Sequence, residues 1–291
     1  MPAAALVANV VVSGILTGLV YGLMALGLSV IFGVVRVVNF AHGEMMIIAM
    51  YAATVLFAAL NLDPFLAMLP VAAAFFVFGY ALQAALINPF ITRPEHSQFM
   101  LLVAVAIILV NAMLMIFGPD ARNVQVDYQL DSYQLGPILV DKARLFAAIA
   151  ALVAAAALFA FFRYALIGKA IRACADNHLG ARIVGLNVKH LYALTFGLGA
   201  ACVAIAGCAM VLLVDVTPPL GPAYTLLAFV IVIVGGLGSM GGALLGGMLI
   251  GVSEALAGLF IAPSAKSMFS FGLLILVLLL RPQGLLGRRA T

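Results

Sequence analysis

The chain has 291 residues, of which 66% are hydrophobic and only 8% are Asp, Glu, Lys or Arg, with a mean hydropathy of +1.27. Soluble domains carry about 25% charged residues, so this composition excludes a water-soluble globular protein, whose surface would be a large apolar patch. Its 14 basic and 10 acidic residues leave a formal net charge of +4, too thinly spread for a nucleic-acid footprint.

Residues 1–12 contain no Lys or Arg, so they lack the basic flank of a signal peptide and read as the start of a first membrane helix. A spanning helix needs about 20 apolar residues. In chain order, spans are expected at residues 5–32, 44–60, 65–87 and 98–117. The polar segment 34–44 separates the first two. An Asn-Leu-Asp-Pro turn at 61–64 separates the second and third, and a polar break at 88–97 the third and fourth. Residues 118–141 form a long non-apolar stretch with Asp120, Arg122, Asp127 and Asp131. A fifth span is expected at 143–162.

Residues 163–190 carry Arg163, Lys169, Arg172, Arg182 and Lys189 against Asp176. They read as two short helices around a turn at 177–180, too polar to span. A sixth span is expected at 191–214, then a Pro-rich turn at 215–222. The apolar run 224–234 is short for a crossing and meets the glycine run GGLGSMGG, followed by an apolar run at 243–260. Each glycine inside a helix costs about 1 kcal/mol, so a half-helix, a glycine-rich break and a second helix are expected here. The last span, 267–280, ends at Arg281-Pro282, and Arg288 and Arg289 follow. The fold class is therefore all-α: a polytopic integral membrane protein, a single domain with about eight to ten membrane segments including a glycine-broken helix. Lys and Arg concentrate in cytoplasmic loops. That places 163–190 and the C-terminus in the cytoplasm, and 118–141 and the N-terminus outside.

Three polar constellations stand out. Arg36, Asn39, His42 and Glu44 fall within one short stretch between apolar spans. Charge buried in lipid costs several kcal/mol unless paired or hydrated. The group reads as a lining of a translocation path, as a polar lock between helices, or as a short hairpin meeting cytoplasmic water. The spacing lacks the HExxH pattern of a zinc site. Gly235, Gly236, Gly238 and Ser239 form the second constellation, with Glu254 downstream. Glycines there permit close helix packing or a helix break at membrane depth, and Glu254 would satisfy freed backbone groups or sit near a pore. The third is 163–190, an ordinary loop or a docking element for a soluble partner; its length and helical character favour docking through Lys169, Arg172, Asp176 and Arg182. Gly168-Lys169-Ala170 lacks the glycines and hydroxyl of a phosphate-binding loop, so nucleotide hydrolysis is not expected of this chain, nor is any cofactor, metal or catalytic residue. Cys174, Cys202 and Cys208 have no CxxC spacing and read as small core residues.

Several dispersed stretches resemble one family. These are the run from Gly18 to Glu44 ending in NFAHGE, then GKAIRACADNHLGARIVGLN, GGLGSMGGALLGGMLIGVSEAL and LRPQGLLG. Together they resemble permease subunits of bacterial high-affinity branched-chain amino acid ABC transporters, closest to the H-type permease. The resemblance implies a multi-pass protein of the bacterial inner membrane, paired with a second, homologous permease. It implies two ATP-binding subunits docking from the cytoplasm, with residues 168–187, inside the 163–190 docking segment, contacting an ATPase, and a periplasmic substrate-binding protein. The implied cargo is leucine, isoleucine and valine; the alternatives are urea or short amides, or an ion-coupled secondary transporter acting alone.

Overall fold

The computed structural model describes residues 3–136, 138–262 and 266–287. The tail residues Arg288 and Arg289 lie outside the described residues. Among those described, eight helices are long and apolar enough to cross a membrane, and a ninth, Lys266–Leu280, is shorter. The protein is a polytopic all-α membrane protein.

The helices are α1 (Ala3–Val35), α2 (His42–Leu60), α3 (Pro64–Leu82), α4 (Glu95–Phe117), α5 (Lys142–Tyr164), α6 (Leu166–Asp176), α7 (His178–Ile183), α8 (Val188–Met210), α9 (Gly221–Gly235), α10 (Met240–Phe260) and α11 (Lys266–Leu280). Polar residues between the apolar runs start these helices. Asp63 accepts from Phe65 N at 2.8 Å with Pro64 in the first turn. Asp141 accepts from Arg144 N, Asn177 from Gly180 N, Asn187 from His190 N, and Ser239 from Gly242 N. Each side chain satisfies an N–H that the first helical turn leaves without a carbonyl.

Three features depart from the sequence expectation. The stretch 118–141 contains a β-hairpin, β1 (Ser132–Leu135) with β2 (Ile138–Asp141), in antiparallel register Ser132 to Asp141. The third span does not stop at 87: α3 loosens into a π-turn at Gln83–Ile87 and a 3₁₀ turn at Asn88–Phe90. The 224–234 run extends back to Gly221, and a 3₁₀ turn at Pro218–Leu220 leads into it. Prolines fit there because the first turn of a helix needs no N–H from them. The resulting unit, Pro218–Gly235, is long enough to cross. The glycine run separates α9 from α10 as expected, and the two helices fold back on each other. A Cβ on Gly246 would press on Ile231 O, and Gly235 meets Gly242.

α1 runs antiparallel to α10 through facing glycines. A Cβ on Gly14 would come within 2.8 Å of Gly251 O, one on Gly18 within 2.8 Å of Met248 Cα, and one on Gly22 within 3.1 Å of Leu244 Cα. Such small-residue seams let backbones approach where lipid offers no hydrophobic drive. α3 packs on α8 in the same way, through Gly79 and Gly197.

The bundle has two chemically distinct ends. At the hairpin end lie Asp63, Asp120, Asp127, Asp131, Asp141 and Asp215 with Arg122, Lys142, Arg144 and Lys266; at the other lie Arg36, Arg93, Arg163, Lys169, Arg172, Arg182, Lys189 and Arg281 with Asp176. α1 descends from the hairpin end to Val35 at the basic end. The irregular residues 36–39 then climb back. His42, at the start of α2, reaches the carbonyl of Met24, about 16 Å along α1 from Val35 at about 1.5 Å per residue. α2 therefore begins inside the bundle rather than at its surface.

Candidate functional site

The interior start of α2 carries the first polar group. Its N-terminal N–H groups need partners at a depth where water is scarce. Thr225 on α9 supplies one: Gly43 N donates to Thr225 Oγ1 at 2.8 Å, and that hydroxyl donates to Glu44 Oε2 at 2.8 Å. Gly43 is glycine because a Cβ there would collide with Gly221 O and Thr225 N. Gly221 in turn faces the Glu44 side chain, its Cβ position 3.0 Å from Glu44 Cγ. His42 Nε2 donates to Met24 O at 2.9 Å, while Nδ1 has no hydrogen-bond partner among the described residues. Asn39 Oδ1 accepts from Ala41 N and its Nδ2 faces Met45 Sδ. Asn39, His42 and Glu44 are all buried, with Glu44 only 2% exposed. The reading of this group as a hairpin in cytoplasmic water is therefore corrected for these three: all lie in the interior, His42 bonded to α1, Glu44 to α9, and Asn39 to the local turn leading into α2. Arg36 does not join it. It sits exposed past the end of α1 at φ +62°, a strained conformation for a side chain other than glycine.

The glycine run at the basic end forms the second group. Gly236 (φ +106°) and Gly238 (φ +75°) adopt left-handed backbone that allows the tight α9–α10 reversal. Ser239 caps α10. The LRPQGLLG segment packs onto the reversal, with Leu285 N donating to Val234 O and Leu286 N to Gly235 O, each at 2.9 Å. Gly236 lies against the backbone of Leu286 and Gly287, so two motifs far apart in sequence form one packed unit.

Glu254 lies far from that turn. It projects from α10 into a cavity of about 600 Å³ that also involves α1, α5 and the hairpin. Ser270 Oγ donates to Glu254 Oε1 at 2.8 Å, and Tyr21 and Tyr224 lie beside the carboxyl group. Asn9, Ser13, Thr17 and Tyr21 of α1 line the same cavity, with Arg144 of α5 and Lys266 of α11. The Arg144 guanidinium donates to Ser13 Oγ. Sequence reading picked Glu254 and missed the rest. The available signal was the spacing of four between Asn9, Ser13, Thr17 and Tyr21, which places polar groups on one face of an apolar helix.

The basic segment 163–190 forms α6 and α7. Lys169, Arg172, Asp176 and Arg182 are all exposed, as are Leu166, Ile167, Leu179, Ile183 and Val184. Ile171, Cys174 and Ala181 anchor the pair inward, and burial pushes the Cys174 thiol up, away from reactive thiolate chemistry. Cys202 and Cys208 are likewise buried and unpaired. Among the described residues no cluster of His, Cys, Asp and Glu has the makings of a metal site.

Residues 10–278 match the family described as branched-chain amino acid transport system / permease component. The chain is 32% identical over 297 residues to the high-affinity branched-chain amino acid transport system permease protein LivH of Salmonella typhimurium, covering 95% of this chain and 94% of that one. It is 32% identical over 290 residues to LivH of Escherichia coli K12, with the same coverage. It is 30% identical over 292 residues to the permease protein BraD of Pseudomonas aeruginosa, again covering 95% and 94%.

Proposed function

Because the chain belongs to the branched-chain amino acid transport permease family, we propose that it is the membrane-spanning subunit of an ATP-driven importer of leucine, isoleucine and valine. It is a permease and not an enzyme. Hydrolysis belongs to separate ATP-binding subunits, and a substrate-binding protein delivers cargo. The finer assembly is a heterodimer with a second, homologous permease in the bacterial inner membrane, two ATP-binding subunits below it and a periplasmic binding protein above.

One observation carries the ATP-driven reading. The α6–α7 pair presents exposed cations beside exposed Leu and Ile at the basic end. An apolar surface rimmed by charge suits a protein partner, and this chain lacks a phosphate-binding loop of its own. Lys169, Arg172, Asp176 and Arg182 are the docking contacts. Asn39, His42 and Glu44 act as an interhelix lock, supported by the Thr225 and Met24 hydrogen bonds, whereas the exposed Arg36 stands at the inner mouth. The glycines at 235–238 and Ser239 shape the α9–α10 reversal.

Uptake by the complete complex in proteoliposomes tests the reading, with radiolabelled leucine and urea in parallel. Leucine uptake that requires ATP is expected. Uptake driven by an ion gradient without ATP, or ATP-dependent uptake of urea without leucine, would count against it.

A further inference from the structure

We infer that the cavity between α1, α5 and α10 is a binding station for the two charged ends of an α-amino acid, with Arg144 holding the carboxylate and Glu254 the ammonium. The inference rests on the proposed amino acid cargo and adds residues to it.

The cavity has the right size and position. About 600 Å³ falls within the range of small-molecule sites, about 300–1,000 Å³. Its wall includes Ser132, Leu139 and Asp141 of the β-hairpin, so it reaches the acidic end of the bundle. Asn9, Ser13, Thr17 and Tyr21 run down one face of α1 from that end, over about 18 Å at about 1.5 Å per residue. Tyr21 stands beside Glu254, and so does Tyr224. The next residue, Thr225, closes on Glu44 and Gly43. The polar stripe thus leads from the hairpin end to a closed floor inside the bundle.

The charges match a zwitterion. Ionisable groups inside a membrane are expensive and mark ligand or ion pathways unless they serve one another. Arg144 and Glu254 do not pair with each other; the ion pair that Arg144 makes is the long one to Asp141. Arg144 reaches Ser13, and its Nε is 4.0 Å from Asp141. Glu254 takes hydrogen bonds from Ser270 and Tyr21, and the Lys266 ammonium acts on it from the same wall. Both line one cavity without neutralising each other. A guanidinium offers a planar fork to a carboxylate, and a carboxylate accepts from an ammonium. The remaining wall is largely aliphatic and glycine, including Val10, Gly14, Gly251 and Ala255, which suits a branched apolar side chain. A neutral amide such as urea needs neither charge.

The test uses the complete complex with its binding protein in proteoliposomes, reading leucine moved per ATP hydrolysed. Arg144→Gln and Glu254→Gln should each lower that ratio by about tenfold, as expected for one charge-assisted contact. Arg144→Lys and Glu254→Asp, which keep the charges, should recover a substantial part of it. Ratios equal to wild type in both Gln variants overturn the proposal. So does a loss that follows the yield of assembled complex and is not rescued by the charge-keeping variants. A wild-type complex that moves urea and not leucine overturns the cargo reading and this site with it. Wild-type leucine uptake with unaffected variants overturns the site alone.

Discussion

Glu44 is held by a hydroxyl 181 residues away in sequence. Thr225 is at once acceptor for Gly43 N and donor to Glu44, so its removal strands two polar groups inside the bundle. Each buried group left without a partner costs about 1–3 kcal/mol. Thr225→Val, which keeps the shape, should therefore lower the thermal midpoint of the detergent-solubilised protein by several degrees. Glu44→Gln retains a carbonyl acceptor for the Thr225 hydroxyl and should stay close to the parent. A Thr225→Val protein as stable as wild type, or a Glu44→Gln protein that fails to fold, would refute the lock. The sequence made Asn39, His42 and Glu44 legible because polar residues in an apolar setting must have a reason. It made Arg36 look like a fourth member because neighbours in sequence look like neighbours in space, and an irregular segment climbing into the bundle separates them. Arg144 was not legible at all: beside Asp141 and Lys142 it resembles any residue at a helix start. Its meaning depends on α1 and α10, which reach it only in three dimensions.

Among elements, glycine placement decides which helices touch. Gly247 faces Gly18 and Gly22 with no room for a side chain, and Gly251 faces Gly14 and Gly18. Gly247→Val should separate α1 from α10, and little folded protein should survive extraction. Gly272→Val on α11, where a Cβ meets nothing within 4 Å, is the matched control and should behave like wild type. Equal recovery of the two would show that the seam does not hold the fold. The glycines were visible in sequence as a packing signal, but their partner was not, because small-residue spacing names a face and leaves its mate open. The hairpin was missed for a related reason: four-residue strands leave little periodicity to read. Near that end Tyr128 donates to Asp63 Oδ2 at 2.7 Å, tying the hairpin-end loop to the start of α3. Burial, and then the Asp63 carboxylate, push the Tyr128 phenol above its ordinary value of 10.0. The folded protein keeps this proton where the unfolded chain loses it. The stabilisation is therefore full below about pH 10 and is lost as pH rises through the unfolded value toward the folded one. Thermal midpoints between about pH 9 and about pH 11 should fall less steeply in Tyr128→Phe than in wild type. Parallel curves would place no linkage at this bond.

For the whole molecule, the two ends differ in charge, and that asymmetry sets the direction of insertion. Of the twelve described Lys and Arg residues, eight lie at the end bearing α6, α7 and the α9–α10 turn, whereas Arg122, Lys142, Arg144 and Lys266 share the opposite end with its aspartates. Positive residues within short loops stay on the cytoplasmic side, so the proposed function needs α6 and α7 on the cytoplasmic side and the hairpin on the opposite one. On the inferred binding station, the same direction would give the polar stripe on α1 its sense, from Asn9 at the hairpin end to Tyr21 inside the bundle. An inverted molecule would present the cavity to the cytoplasm and the α6–α7 cations to the opposite side, so the proposed function stands or falls with this orientation. Single cysteines in place of Asp127 and Asp176 read it directly, in a background where Cys174, Cys202 and Cys208 have been replaced. Both positions are exposed, one at each end. A membrane-impermeant maleimide added to intact cells should label Asp127→Cys and leave Asp176→Cys unlabelled until the membrane is opened. Labelling of position 176 from outside in intact cells would reverse the insertion, and the docking and delivery assignments would then fall together, because both depend on which end meets the cytoplasm.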